Sequence, residues 1–244
     1  MNLLLVEPSE IRPDHTIVLA DRRAEHLRRV IGIAVAQTVR AGIVGAGTGT
    51  AELISDDGTT MCLALTITAP ASEPLPIDLV LAVPRPKVLT RVIETAAAFG
   101  VARLDLTNAW RVDKSYLASP RLAPEAIAYA VRFGAEQGAT THEPPVAIHD
   151  RFMALLDARW PAGGPPGTRL VAHPGAPPIE AAFAPGPLVL AIGPEGGWIQ
   201  RELDTFVERG FAPVSHGAPI LRVETAVAAV LGQLLLLQRQ SVSV

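Results

Sequence analysis

"LVLAIGPEGGWIQRELDTF", residues 188–206, decides the fold. An unbroken apolar run ends in Gly193-Pro194-Glu195-Gly196-Gly197, and a helical pattern begins at Trp198. A strand with no polar alternation is buried on both faces, as in a parallel sheet. Three glycines at the joint let the main chain approach a neighbour that a side chain would keep away.

Working outward, the same alternation repeats. "IDLVLAV" (77–83) reads as a second buried strand, and "PKVLTRVIETAAAFG" (86–100) as a helix with proline at its start and glycine at its end. "VARLDLT" (101–107), "TRLVAH" (168–173) and "FAPVSHG" (211–217) read as further strands. The segments 124–138, 151–160, 198–209 and 224–238 read as helices, and "RWPAGGPPGT" (159–168) as a loop. Strand–helix–strand units of this length imply a parallel α/β sheet.

The first seventy or so residues have another rhythm. "NLLLVE", "HTIVLA", "QTVRAGIV", "TGTAELIS" and "TTMCLALTIT" are short strand-like runs, interrupted by one helix, "RRAEHLRRVIG" (22–32), with Asp21 as N-cap and Gly32 as stop. Several short strands suggest a small barrel. "APASEPLP" (69–76) reads as a linker, giving a β-rich domain over 1–70 and an α/β domain over 76–244. "GIVGAGTGT" (42–50) has no helix after it and reads as a hairpin or loop, not a nucleotide site.

Composition narrows the function. The 244 residues are 49% hydrophobic and 18% charged, an ordinary globular balance, with a formal net charge of −3 that argues against coating nucleic acid by bulk electrostatics. A single cysteine, Cys62, rules out an internal disulfide framework and fits a reducing compartment. No apolar leader opens the chain, no run is long enough to span a bilayer, and the six histidines lack metal-ligand spacing. The expectation is a cytoplasmic protein with no membrane association and no metal site.

In an open parallel sheet, ligands bind beyond the carboxyl ends of the strands. Three strands here end in turn residues: "AHPGAPP" (172–178), "IGPEGGW" (192–198) and "SHGAPILRVET" (215–225). If the strands are neighbours, the turns face one crevice. Neither a Walker A loop nor a dinucleotide fingerprint is present, and Glu195 would repel a phosphate, so a neutral or cationic ligand fits better. The bland alternative is a glycine turn in which Glu195 favours the dipole of the next helix. Glu224 and Thr225 stand where they can cap the last helix. Arg222, between Leu221 and Val223, calls for a partner: Glu224, Glu195 or a polar edge of a substrate. The last helix is apolar on more than one face, which means deep burial or a subunit interface.

"IGPEGGW" before a helix, then "HGAPILRVETA" opening the last one, resemble the paired C-terminal motifs of the RsmE family, SPOUT-class methyltransferases of small-subunit ribosomal RNA. "EHLRRVIG" resembles part of the family's PUA-like RNA-binding barrel, and "GAEQG" (134–138) its Glu-Gln motif. The resemblance implies a SPOUT-like parallel sheet with a C-terminal trefoil knot and a homodimer. S-adenosyl-L-methionine would be bound by His173 and Pro174, by Ile192, Gly193, Pro194, Glu195, Gly196 and Gly197, and by Ser215, Gly217, Ile220, Leu221, Thr225 and Ala226. The partner would be 16S rRNA in the small ribosomal subunit, methylated on N3 of a uridine at position 1498 in conventional numbering.

Transfer of a methyl group is an in-line displacement, so positioning does most of the work. The N3 imide must lose a proton; Arg222 is the candidate to stabilise the resulting charge and Glu224 the candidate acceptor, while Glu195 is an alternative contact for the cationic cofactor. Arg22, Arg23, Arg28 and Arg29 are candidates for RNA phosphates, with a solvated helix face as the alternative, and Arg111 and Glu136 for organising the RNA side. The chain departs from the family at charged positions: Thr95, Ala98, Trp110, Thr140 and Pro219 stand where the family carries charge. A second reading is therefore a divergent relative that binds cofactor and RNA but acts on another RNA or has lost turnover.

Overall fold

The computed structural model describes residues 1–165 and 167–242. Pro166, within the expected loop 159–168, and the last two residues lie outside the described part. The described residues form two compact units: Met1–Glu73 with Arg132–Glu143, and Pro74–Val131 with Pro144–Val244.

The first unit is built on a curled five-stranded sheet. Strands β1 (Leu4–Val6), β2 (Thr16–Leu19), β3 (Thr38–Ile43), β4 (Thr48–Asp56) and β5 (Met61–Ala69) lie in the order β1-β3-β4-β5-β2. Only the β1–β3 pair is parallel. Two register shifts in β4–β5 bend the ribbon, as bulges do. Gly49 lies so close to β5 that a Cβ there would sit 1.9 Å from the Thr66 carbonyl oxygen. Alternation along the strands fills one core with Leu4, Val6, Ile17, Leu19, Leu53 and Leu63. The glycine stretch 42–50 is a hairpin between β3 and β4, as its sequence suggested.

Helix α1 (Arg22–His26) begins at Asp21, whose carboxylate accepts from the Arg23 amide at 2.9 Å. It continues as a π-helical turn over Leu27–Ile31 and stops at Gly32, φ 68°. The expected single helix is therefore two: one extra residue per turn carries Val30 and Ile31 to the surface instead of into the core.

The second unit holds a six-stranded, all-parallel sheet. Its strands are β6 (Leu75–Ala82), β7 (Val101–Thr107), β8 (Val146–His149), β9 (Thr168–Ala172), β10 (Leu188–Ile192) and β11 (Ala212–Val214), in the order β11-β9-β10-β6-β7-β8. Every residue of β10 is buried, as its unbroken apolar run requires. Helices α2 (Pro86–Phe99), α3 (Lys114–Leu117), α4 (Pro124–Gly138), α5 (Phe152–Arg159), α6 (Gln200–Glu208) and α7 (Val223–Val242) complete the chain. α2 ends at Gly100 in the left-handed region, φ 67°. The sequence reading missed β8. "VAIH" is a short edge strand, half-exposed along its length, and it lacks the apolar run that marks a central one.

Aromatic side chains clamp α5 and α6. Phe206 of α6 sits with its ring centroid 5.0 Å from Trp198, 5.2 Å from Phe152 and 4.9 Å from Phe211. Trp160 meets Phe211 edge to face at 5.5 Å. Such pairs contribute about 0.5–1.5 kcal/mol each beyond burial. Because Trp198 directly follows Gly197, this cluster is also the base on which the glycine turn rests.

Candidate cofactor crevice

β9 lies between β10 and β11, all three parallel, so the turns after them leave the same edge of the sheet. The strands are neighbours, and the condition for a shared crevice is met. The turns after β9 and β11 are joined by main-chain bonds: His173 N to Val214 O at 2.9 Å, Ser215 N to Pro177 O at 2.8 Å and Ile179 N to Ser215 O at 3.1 Å. Ser215 Oγ donates to Gly217 O and accepts from Gly217 N, both at 3.0 Å, holding Gly217 at φ 135°. From α7, Gln233 Nε2 donates to His216 O at 2.9 Å. These bonds, some between main-chain groups and others from the Ser215 and Gln233 side chains, fix the two turns to each other and to α7.

The glycine turn has its own internal logic. A Cβ on Gly193 would come within 3.1 Å of the Trp198 amide nitrogen, and Gly197 has φ 69°. Gly196 makes room for Arg111: a Cβ there would lie 3.0 Å from Arg111 Cδ, and Arg111 Nη1 donates to Gly196 O. So two of the three glycines are explained by packing within the protein. Gly197 and Gly175, both at positive φ, have nothing within 4 Å of where a Cβ would stand. They open onto space.

Glu195 corrects one expectation. Its carboxylate serves the start of α2, not that of the following helix: Oε1 accepts from the Arg85 amide at 3.0 Å and lies 3.8 Å from Arg85 Nε. A different loop, the one after β7, is tied to the start of α6 by Glu202, a buried carboxylate on α6, which accepts from the Trp110 amide at 2.8 Å and from the Ile199 amide at 2.9 Å. Sequence reasoning missed Glu202. Its signal is a glutamate three residues after the helix boundary, where a carboxylate can reach back to an orphan amide.

Arg222 is exposed and forms no ion pair among the described residues, so neither Glu224 nor Glu195 is the partner it was expected to need. Glu224 and Thr225 stand in the first turn of α7, but neither side chain makes a capping hydrogen bond among the described residues. Ile220 is 85% exposed at the mouth of the turn, beside half-buried Leu221, while Ala226 is half-buried on the first turns of α7. Among the described residues the amides of Ile220 and Leu221 have no hydrogen-bond partner.

The candidates for the RNA side are placed differently. Glu136 is fully buried in the first unit and takes a two-pronged bond from Arg22, both arms 2.9 Å. Arg23 is buried against Glu10, Asp21 and the Leu5 carbonyl, with the last at 3.0 Å. Arg28 grips Asp56 at 2.7 and 2.9 Å, a bond that lowers the Asp56 carboxyl to about 2. Arg29 pairs with Glu25 one turn away on the surface. Arg111 stays in the second unit on the glycine turn. Among the described residues no cluster of three or more His, Cys, Asp or Glu is placed to hold a metal ion, and no helix is long and apolar enough to cross a membrane.

A parallel sheet whose adjacent carboxyl-end turns lie side by side is where an α/β fold places a ligand. The chain belongs to the RNA methyltransferase domain family, which matches residues 71–235. Curated relatives include ribosomal RNA small subunit methyltransferase E of Synechocystis, 27% identical over 95% of this chain and 76% of its own. The protein of the same name from Treponema pallidum is 25% identical over 94% and 88%. The resemblance to the RsmE family therefore holds. Among solved structures, ribosomal RNA small subunit methyltransferase E of Neisseria gonorrhoeae, bound to S-adenosyl methionine, superposes with a TM-score of 0.77 at 24% identity over 97% of this chain and 98% of that one. A Legionella pneumophila protein solved with the same cofactor gives 0.76 at 20% over 97% of both.

Proposed function

We propose that this protein transfers a methyl group from S-adenosyl-L-methionine to N3 of a uridine in 16S rRNA of the small ribosomal subunit, as a cytoplasmic homodimer. The observation that carries the proposal is the convergence of the three motif-bearing turns after β9, β10 and β11. The residues fit the cofactor. Amides at 220 and 221, unpartnered among the described residues, suit the acceptor edge of an adenine, and open space beside Gly175 and Gly197 admits a bulky ligand. In this reading the cofactor would be held by His173, Pro174, Ser215 and Gly217, by residues 192–197, and by Ile220, Leu221, Thr225 and Ala226. When bound, the cofactor supplies an electrophilic methyl group on a sulfonium. Within this reading the C-terminal segment threads a trefoil knot, and the curled sheet of the first unit is a PUA-like RNA-binding domain.

Arg222, exposed and without an ion pair, would face the carbonyl oxygens of the uracil and stabilise the imide anion. Glu224, in the first turn of α7, would take the N3 proton. The test is calorimetric titration with S-adenosylhomocysteine, then methyl transfer to unmodified small subunits. Binding followed by methylation of one uridine supports the proposal; a protein that does not bind the product overturns it. An Arg222→Ala variant keeping full activity would remove Arg222 from the scheme. One observation favours a second reading, another RNA target: Glu136, Arg22, Arg23 and Arg28 are all engaged inside the first unit. Mapping modified nucleosides in a strain lacking the protein separates the two.

A further inference from the structure

We propose that Trp110 is a stacking platform for a nucleobase of the RNA substrate, held at the rim of the crevice by the loops that form it. The inference rests on the RNA-methyltransferase reading above and adds a substrate contact to it.

The chain has three tryptophans. Trp160 and Trp198 are 6% and 3% exposed inside the aromatic cluster, whereas Trp110 is 80% exposed. Leaving a large ring in water forgoes the burial that stabilises the other two. The turn that carries it is nevertheless among the best-anchored in the second unit. The Trp110 amide is bound at 2.8 Å by the buried Glu202, whose other oxygen holds the start of α6. The next residue, Arg111, is bonded to Gly196 in the glycine turn. The preceding Ala109 and following Val112 are buried in the core. An exposed ring on a turn whose backbone is bonded to α6 and whose next residue is bonded to the glycine turn is carried at a fixed place beside that turn.

The chemistry of the ring selects the ligand. A base to be methylated must be unstacked from its neighbours, and exposed bases stack on aromatic faces. Every base has a π face, so such a platform works without reading sequence. The guanidinium of Arg111 and the exposed Arg85 on the adjacent loop supply positive charge for the nearby phosphates.

The test compares wild type with Trp110→Ala and Trp110→Phe by calorimetry with S-adenosylhomocysteine, by binding and steady-state methylation of unmodified small subunits, and by sedimentation. The expectation is unchanged cofactor affinity in all three. Trp110→Ala should bind subunits at least about fivefold more weakly, with KM raised more than kcat is lowered, and Trp110→Phe should recover most of that loss. Equal subunit affinity for wild type and Trp110→Ala, in a wild type that methylates, overturns the stacking contact alone. If wild type binds the product but ignores subunits, the contact falls with the RNA reading. If Trp110→Ala changes the sedimenting mass, the ring is a contact between copies and the proposal also falls.

Discussion

Four arginines stand on α1 and the π-helical turn after it, and each meets at least one carboxylate, but the pairs differ widely in worth. Arg29 and Glu25 are both exposed, and such a pair contributes at most a few tenths of a kcal/mol. Glu136 is at 0% exposure, so without Arg22 a charge would be left in the interior. Arg22→Ala should therefore destabilise the protein by about 3 kcal/mol in urea unfolding, whereas Arg29→Ala should stay within about 0.5 kcal/mol. If Arg22 served phosphates instead, its loss would lower the salt dependence of RNA binding and leave stability intact. The α1 cap was legible in the sequence because Asp21 and Arg23 are two positions apart; the Arg22–Glu136 bond was not, because its partners are 114 positions apart.

A second buried carboxylate gives a pH prediction. Asp105 of β7 is fully buried; burial pushes its carboxyl up, but hydrogen bonds from Arg103 and His149 and the charge of Arg159 bring it below the ordinary range. A carboxyl depressed in the folded state stabilises the fold above its unfolded value, near pH 4, and that contribution is lost as pH falls through the folded value. Asp105→Asn should cost about 3 kcal/mol at neutral pH, and the gap between the wild-type and variant stability curves should narrow below pH 4. A gap constant down to pH 2 would show that the carboxyl's charge is not what matters.

At the scale of elements, the strand-to-helix joint was the most legible feature and its purpose the least. The apolar run, the glycines and the helix start were all visible, yet the neighbours that demand Gly193 and Gly196 come from Trp198 and Arg111 and emerge only on folding. The π-helical turn was invisible for a related reason: the spacing of "HLRRVIG" suits an ordinary helix, and the bulge is set by how Leu27 packs. Glu202 is the element-scale test. One carboxylate holds two amides from different loops, and charge-assisted bonds of this kind are worth about 1.5–3 kcal/mol each. Glu202→Ala should lower the melting temperature by several degrees. It should also weaken S-adenosylhomocysteine binding by tenfold or more, since the start of α6 loses its tie to the loop after β7 and the Arg111–Gly196 bond is left to hold the glycine turn. A variant that melts early but binds the product at full strength would make Glu202 a stability residue only.

For the whole molecule, the division into a β-rich and an α/β part was readable from the change of rhythm near residue 70. The return of Arg132–Glu143 to the first unit was not, since a continuous helical pattern gives no sign of where one core ends and another begins. The last helix raises the remaining question. Val227, Val230, Leu231 and Leu234 of α7 are buried in the core, but Leu235 and Leu236 on its outer side are 36% and 52% exposed. The expectation of an apolar helix with more than one apolar face is met in a single chain, and an outer leucine pair is what a two-fold contact between copies would cover. Leu236→Asp puts a charge on that face without touching the core, so the melting temperature of the isolated chain should hardly move, while sedimentation should show half the mass of wild type. Because an obligate dimer is stabilised by its own concentration, the wild-type melting temperature should rise with protein concentration and that of Leu236→Asp should not. A wild-type protein that sediments as a monomer at every concentration would place those leucines simply in solvent, and the dimer would drop out of the proposed function.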